Sequence, residues 1–318
     1  MLRYILKRIL LMIPVILGVI ILVFTIIWFA PGDAVDTLSS EITTEEEKAE
    51  MRHDMGLDRP YIVQLGSYVN NLITKFSLGT ALVNKTDIAS DLAARFPNSL
   101  RMAIAGICAS VLLGIPLGVY AALHQNKLGD TISMAIAILG ISAPGFWIAL
   151  VLVIMFAYKV KLFPAYGIGG AAHWILPIAA ISLGGIAKLA RQARSSMLEV
   201  IRSDYIVMAK AKGLPHREVI WKHALPNALI PLITVAGMSF GNLLGGGLVI
   251  EKVFSIPGVG GYLVEAVSAR DFQAVQGGVI LTSICFCVIM LACDLVMGFV
   301  DPRIKARYTG RKKRTKKQ

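Results

Sequence analysis

The sequence predicts an all-α membrane protein with six transmembrane helices and both termini in the cytoplasm. Hydrophobic residues make up 56% of the 318 residues, charged residues only 16%, and the mean hydropathy is +0.67. A soluble domain of this length has too little interior to bury so much apolar surface. The apolar residues form long runs almost free of charge, and a lipid-facing backbone must satisfy its own hydrogen bonds, which favours helices.

Six apolar runs are long enough to cross a bilayer. In order, they cover residues 9–30, 102–123, 131–158, 174–194, 228–250 and 272–300. The fourth run is free of charge only over 174–187, and we extend it through Arg194 because the stems of Lys188, Arg191 and Arg194 can snorkel to the cytoplasmic interface. Helices can bend or end at three further places, Pro144, Gly145 and residues 245–247.

The first and last spans each carry charges that need an interpretation. The basic start at Arg3, Lys7 and Arg8 suits a signal peptide, but the apolar run after it is too long and no A-x-A site follows, so we expect a retained anchor. Asp294 interrupts the last span, and we expect it to pair with a helix end or a basic side chain rather than to carry protons.

The distribution of Lys and Arg predicts the orientation. Loops on one side hold 21 of these residues and loops on the other side hold 11, so the richer side faces the cytoplasm of a multi-pass cell-membrane protein. The predicted regions are a cytoplasmic N-terminus at 1–8, an extracellular segment at 31–98, a core at 99–300 that contains a cytoplasmic insert (202–226), and a basic cytoplasmic tail at 301–318. The tail suits anionic lipid, so the net charge of +12 predicts no nucleic acid partner.

The cysteines and histidines predict no metal or cofactor site. All four cysteines lie in apolar runs, where they act as small packing residues: Cys108, Cys285, Cys287 and Cys293. The histidines His216 and His223 are seven residues apart and lack the spacing of a zinc site. No phosphate-binding G-x-x-x-x-G-K-[ST] pattern is present, so nucleotide must bind to a partner if transport is driven by ATP.

The sequence predicts that the insert forms a helix, a turn and a second helix at the cytoplasmic surface. Asp204 is placed to cap the first helix, and one face of that helix carries Tyr205, Met208, Ala209 and Lys212, with Ala211 nearby. Gly213 is placed as the left-handed residue that ends the helix, and Pro215 follows it. A second short helix is predicted over 217–224, with Pro226 at its end or at the start of the fifth span.

Two interpretations of the insert remain open on physical grounds. An amphipathic helix can lie on lipid, and the basic residues of the insert suit that role. The helix before Gly213 has only a weak apolar face, formed by Tyr205, Val207 and Met208, and a short helix with small residues is better suited to a protein groove.

The residues DYIVMAKAKGL and HALPNALIP resemble the EAA signature of ABC importer permeases, in the version found in oligopeptide, dipeptide and nickel importers. Agreement is found at Ala209, Gly213, Leu225 and Pro226. Departures are found at Val207, Met208 and His223. Similar blocks follow the same order along nearly the whole chain, among them MLRYILKRILLMIPVILGV, MGLDRPYIVQ, RFPNSLRMA, ISAPGFWIAL and VIEKVFSIPGVGGYL.

This resemblance implies a type I ABC importer permease of the B-type, with peptides as the favoured substrate and nickel or another small solute as the alternative. It implies a second homologous permease, two ATP-binding cassette ATPases that carry ATP and Mg, and an extracellular binding protein docked near the acidic outer segment and residues 253–271. In the family, the equivalent insert is the coupling helix that enters a cleft of the ATPase. The residues that this assigns to coupling are Asp204, Tyr205, Met208, Ala209, Ala211, Lys212, Gly213, Leu214, Leu225 and Pro226.

Two other classes of membrane protein compete with this interpretation. GMSFG at 237–241 formally matches the nucleophile elbow G-x-S-x-G of a hydrolase, but within an apolar span the same residues give the close-packing pattern G-x-x-x-G. An ion-coupled secondary transporter would carry ionisable residues in mid-membrane, where this sequence offers mainly Asp294. The sequence therefore favours a transport subunit that is not an enzyme.

Overall fold

The computed structural model describes residues 2–32, 34–39, 43–75 and 77–300, and these residues are almost entirely helical and turn. The α-helices in chain order are α1 (Leu2–Trp28), α2 (Ala34–Leu38), α3 (Glu45–Asp54), α4 (Tyr61–Thr74), α5 (Ile88–Leu123), α6 (Leu128–Ser142), α7 (Gly145–Leu152), α8 (Ala171–Ile201), α9 (Asp204–Ala211), α10 (His216–Glu218), α11 (Leu225–Gly246), α12 (Leu248–Val253), α13 (Val259–Ser268) and α14 (Phe272–Val300). The predicted basic tail at 301–318 lies outside the described residues.

Five helical stretches are long and apolar enough to cross a membrane, and the bent pair α6–α7 supplies a sixth crossing. The helices of spans two and four are longer than predicted, because α5 begins at Ile88 and α8 continues to Ile201. The sixth span has the predicted limits. The extracellular segment is partly helical, with α2, α3 and α4 folded beside the outer ends of the spans.

The third span is broken at the place where the sequence allows a bend. Its two halves, α6 and α7, meet at an angle of 102° across Ala143 and Pro144. Proline restricts the residue before it to extended geometry and cannot donate to the preceding turn, and Ala143 is extended, with ψ 130°. The predicted bend at Pro144 and Gly145 is confirmed. A π-helical turn, Val153–Lys159, then completes the crossing.

The second short helix predicted in the insert is not a separate element. It forms α10 and a π-helical turn, Val219–Ala224, which continue without a break into α11. Pro226 is the second residue of α11 and follows directly on the π-helical turn. The fifth span therefore begins at His216 rather than at 228.

Glycines set the closest contacts between spans. A Cβ on Gly114 of α5 would lie 2.7 Å from the carbonyl oxygen of Ile186 in α8, so the two backbones approach through a small-residue face. On α11, Gly237 abuts Cys293 and Gly241 abuts the ring of Phe286, both on α14. The packing interpretation of GMSFG is confirmed. The hydrolase alternative is wrong, because Ser239 lies within a helix and not on a strand-to-helix turn.

An ion pair joins the first and last spans. Arg8 on α1 lies 2.9 Å from the Asp294 carboxylate on α14. The expectation that Asp294 pairs with a basic side chain is confirmed. Pairing offsets much of the cost of burying a charge within the span, so this carboxylate has a structural role.

Candidate coupling surface

The insert joins two membrane-crossing helices by a short projecting elbow. The helix α8 ends at Ile201, the two-turn helix α9 follows, and the chain re-enters a span at His216. Both connections of the elbow to the spans are short, with two residues before α9 and four after it.

The cap of α9 differs from the predicted one. Ser203 is the N-cap residue, with φ −74° and ψ 150°, and Asp204 is the first helical residue. The Ser203 hydroxyl donates to the carbonyl of Val200 at 2.6 Å and so does not cap α9. Asp204 still suits this position, because a carboxylate in the first turn interacts favourably with the helix dipole.

The inner face of α9 anchors the elbow by apolar contacts. Ile206 is fully buried, and Ala209 is only 9% exposed. Both belong to one apolar cluster, which we call the inner cluster; its buried members are Val119, Ala122, Met197, Ile206, Ala209, Val219, Ile220, Ala224 and Ala228. The cluster connects α9 to α5, α8 and the helix that continues into α11.

Ala209 therefore does not lie on the docking face to which the sequence assigns it. It is three residues after Ile206, and this spacing places both side chains on the inward face. Ile206 is not among the residues that the sequence assigns to coupling, although its spacing of three residues from Ala209 indicated that the two could share a face. Leu214 and Leu225 are half-buried and pack against the inner cluster, so they support the elbow from within.

The outer face of α9 is exposed and apolar. Tyr205 is 46% exposed, Val207 55% and Met208 59%. Ala211 and Lys212 are exposed beside them, and Pro226 is exposed on the following helix. Exposed apolar side chains rimmed by lysines are typical of an interaction surface.

Gly213 has the predicted left-handed conformation, with φ +80°. Its N–H donates to the carbonyl of Lys210 at 3.0 Å, which closes the end of α9. No atom lies within 4 Å of the position that a Cβ would take. The backbone angle, and not a lack of space, is therefore what requires glycine here.

A second group of residues on the outer side was not identified from the sequence. Glu251 at the end of α12 is 2% exposed. Its carboxylate accepts hydrogen bonds from the Ser99 hydroxyl at 2.6 Å and from the Gly261 N–H at 3.1 Å. The Ser99 oxygen in turn accepts from the Val259 N–H at 2.8 Å. Burial raises the pKa of Glu251 above its ordinary value, although these hydrogen bonds oppose the rise.

Asp271 holds the same region from its other end. Its carboxylate accepts from the N–H groups of Leu82 at 2.7 Å and Ala274 at 3.1 Å. It therefore caps α14 and ties that helix to the loop before α5. We call Glu251, Ser99 and Asp271 the outer network, and the segment that they hold, α12 and α13, the outer hairpin. The signal in the sequence was an acid followed by the glycine-rich stretch 258–261, where a Cβ on Gly258 or Gly260 would meet the Glu251 carboxylate.

The described parts of the chain contain no group of three or more His, Cys, Asp or Glu side chains that could hold a metal ion.

Comparison with known proteins gives a consistent family assignment. Residues 114–306 match the family described as "Binding-protein-dependent transport system inner membrane component", and residues 1–103 match its N-terminal part. The chain is 39% identical to the dipeptide transport system permease protein DppB of Bacillus subtilis, over 98% of this chain and 100% of that protein. It is 35% identical to the glutathione transport system permease protein GsiC of Salmonella choleraesuis, over 96% and 99%.

Among solved structures, the fold is similar to an inward-facing conformation of the MetNI methionine ABC transporter. That similarity has a TM-score of 0.58 at 20% identity and covers 66% of this chain and 96% of the other. An amino acid ABC transporter matches with a TM-score of 0.51 at 13% identity, over 68% and 94%. At these identities the likeness supports the type I importer fold, and the sequence matches supply the family.

Proposed function

We propose a coupling mechanism from one premise: the chain belongs to the family of binding-protein-dependent transport system inner membrane components. As a member, it is a multi-pass permease subunit of an ABC importer in the cell membrane, and it is a transport subunit rather than an enzyme. Family membership also implies partner ATPases and a second permease.

The observation that carries the mechanism is the two-sided construction of α9. Its inner face is buried in the inner cluster, whereas Tyr205, Val207 and Met208 point outward. In our proposal the outer face enters a groove of an ATPase subunit, since short helices bind grooves through such anchors. Movement of the ATPases on binding ATP displaces α9, and the inner cluster passes that displacement to α5, α8 and α11 as a rigid-body rotation.

Peptides are the substrate class that we propose. The relatives of highest identity given above are named for dipeptide and glutathione transport, and each aligns over nearly the whole of this chain. We further propose two ATPase subunits carrying ATP and Mg, and a binding protein that delivers peptide to the outer side. The acidic start of α3, with Glu45, Glu46 and Glu47, and the outer hairpin are the surfaces proposed for its docking.

Photo-crosslinking tests the docking of α9. A photo-crosslinking amino acid is placed at Met208 in the chain co-expressed with its neighbouring ATPase, permease and binding-protein genes. We expect adducts with an ATPase subunit that change in yield when ATP is added. The matched control is Tyr158, which is 78% exposed and lies at the far end of the third span. Adducts from Met208 to lipid alone would show that α9 rests on the membrane, and the mechanism would be wrong.

Reconstitution tests the substrate class. The complete complex in proteoliposomes is expected to accumulate radiolabelled di- and tripeptides only with ATP and the binding protein. Uptake of nickel or of another solute without peptide uptake would overturn the substrate assignment while leaving the coupling mechanism intact.

A further inference from the structure

A cavity at membrane depth lies where two helices lose their regular backbone. The α6–α7 bend contributes Ala143 and Gly145 to its wall, and Ile250 of α12, just beyond the end of α11 at Gly246, lies beside Gly145. Irregular backbone at membrane depth is tolerated only where it is covered by protein or faces water. The cavity measures about 220 Å³, which is below the range of sites that enclose a drug-sized ligand. It is therefore suited to one end of a substrate.

Three polar side chains line this otherwise small and apolar cavity: Lys188 on α8, and Ser239 and Asn242 on α11. Ser239 is 6% exposed, whereas Lys188 is an exposed residue that lines the cavity. Lys188 follows Ala171 by 17 residues and precedes Ile201 by 13, which places it about 25 Å and 20 Å from the two ends of α8 at 1.5 Å per residue. The sequence predicts a lysine snorkelling to the interface; the structure places it beside the cavity.

Lys188 has no carboxylate within ion-pairing distance among the residues that the structure describes. Arg194, about 9 Å further along α8 by the helical rise, is held differently. It forms a two-pronged pair with Asp130, at 2.5 and 2.6 Å. A cation at this depth is costly unless it is paired, and intramembrane charges of this kind mark ligand paths. Arg194 is therefore a structural cation, because Asp130 pairs with it. Lys188, which has no such pair among the described residues, is available to a ligand.

We propose that Lys188 contacts the carboxylate of a peptide as it passes through this cavity, an inference that rests on the proposed peptide transport. An ammonium donates up to three charge-assisted hydrogen bonds, and the carboxylate accepts them. Asn242 and Ser239 lie on the facing helix and offer hydrogen bonds to the terminal peptide group. The same positive charge repels a metal cation in this low-dielectric setting, which favours peptide over nickel as the cargo.

The test compares a free-acid tripeptide with its C-terminal amide, chosen so that the binding protein captures both equally. Uptake of each is measured in proteoliposomes with the complete transporter carrying wild-type chain, Lys188→Met, Lys188→Arg or the control Lys159→Met. Lys159 is exposed at the outer end of the third span. We expect Lys188→Met to lower uptake of the free acid by about tenfold or more and uptake of the amide by less than about twofold. Lys188→Arg should retain most uptake, and Lys159→Met all of it.

Three outcomes would overturn the inference. If Lys188→Met leaves uptake of the free acid unchanged, Lys188 does not contact the peptide carboxylate. The proposed peptide transport would still stand, because the wild-type complex transports the peptide. An equal loss for both peptides, or dissociation of the two permeases on size-exclusion chromatography, would show that Lys188 is a structural or interface residue. A wild-type complex that moves neither peptide would overturn the proposed function and this inference with it.

Discussion

The insert on the cytoplasmic side and the outer hairpin both pack against the bundle through apolar side chains, but the outer hairpin adds buried carboxylates to that packing. The insert is held by apolar side chains, with Ile206 and Ala209 of α9 buried in the inner cluster. The outer hairpin also buries apolar side chains, among them Phe254, Tyr262 and Leu263. In addition, the buried Glu251 carboxylate accepts from the Gly261 N–H within the hairpin, and Asp271 just after it accepts from backbone N–H groups of the loop before α5 and of α14. Both segments are short: the insert lies between the fourth and fifth spans, and the outer hairpin lies between the fifth and sixth. The difference between them is therefore the buried carboxylates rather than their size.

This difference teaches what each side has to do. Hydrogen bonds to buried carboxylates are directional and fix one geometry, and breaking them leaves unsatisfied groups. Apolar contacts are non-directional, so an element held by them can turn with the spans while staying buried. The buried carboxylates therefore fix the geometry of the outer hairpin beyond what its apolar packing does, and we expect the insert, which is held by packing, to move more readily with the spans.

The largest effect is expected from removing the apolar anchor. Ile206→Ala deletes a fully buried side chain and should destabilise the attachment of α9 by about 2–5 kcal/mol. ATP hydrolysis should then continue without peptide uptake. The control Met208→Ala changes an exposed side chain and should leave thermal stability nearly unaltered. Thermal unfolding of the purified complex and paired ATPase and uptake assays give the readouts. Equal stability of the two variants would contradict the apolar anchoring.

The next effect tests the polar attachment. Glu251→Ala leaves the Ser99 hydroxyl and the Gly261 N–H without their acceptor, at about 1–3 kcal/mol for each buried group. The outer hairpin should become sensitive to protease added from outside, and the melting temperature should fall. Glu265→Ala is the control, because its ion pair with Lys252 is exposed and such pairs contribute little. Wild-type protease resistance in Glu251→Ala would mean that the network does not hold the hairpin.

A substitution at Gly213, at the junction between α9 and the fifth span, should change the free energy of unfolding less than the two changes above. It should nevertheless clearly reduce the coupling of ATP hydrolysis to uptake. Gly213→Val forces a β-branched residue into φ +80°, which costs about 1–2 kcal/mol. Membrane insertion should be normal, since nothing crowds this position, and uptake should fall about tenfold. Gly213→Asn tolerates the left-handed conformation and should retain uptake. Normal uptake and normal stimulated ATPase activity in Gly213→Val would rule out the coupling role.

The smallest effect is a pH dependence of the outer network. Burial holds the pKa of Glu251 above its ordinary value of 4.5, so the native state binds this proton more tightly than the unfolded chain. The stabilisation that this bound proton gives is complete below pH 4.5 and is lost as the pH rises through the pKa of Glu251 in the native state. The stability of Glu251→Gln relative to wild type should therefore increase with pH across that window and then level off. Melting temperatures of both proteins from about pH 4.5 to 8 measure this, and the opposite slope would contradict it.

Much of the architecture was predictable because the membrane imposes strong local rules. Apolar runs predicted the number of crossings, and Gly213 before Pro215 predicted a helix end that the structure confirms. The pairing of Asp294 and the close packing around Gly237 also followed from single residues in apolar surroundings. Which face of α9 points inward could not be predicted in this way, because a two-turn helix with apolar residues at 205–209 offers several possible inward faces.

By itself, the sequence determined which segments cross the membrane, where helices can break, and the family to which the chain is similar, since these depend on composition and on residues near each other. Only the tertiary structure decided that α6 and α7 meet at 102°, that Ala209 faces inward, and that Glu251 reaches Ser99 from 152 residues away. Each of these depends on contacts between distant segments, and the free energy of such contacts is not encoded in any local window of the chain.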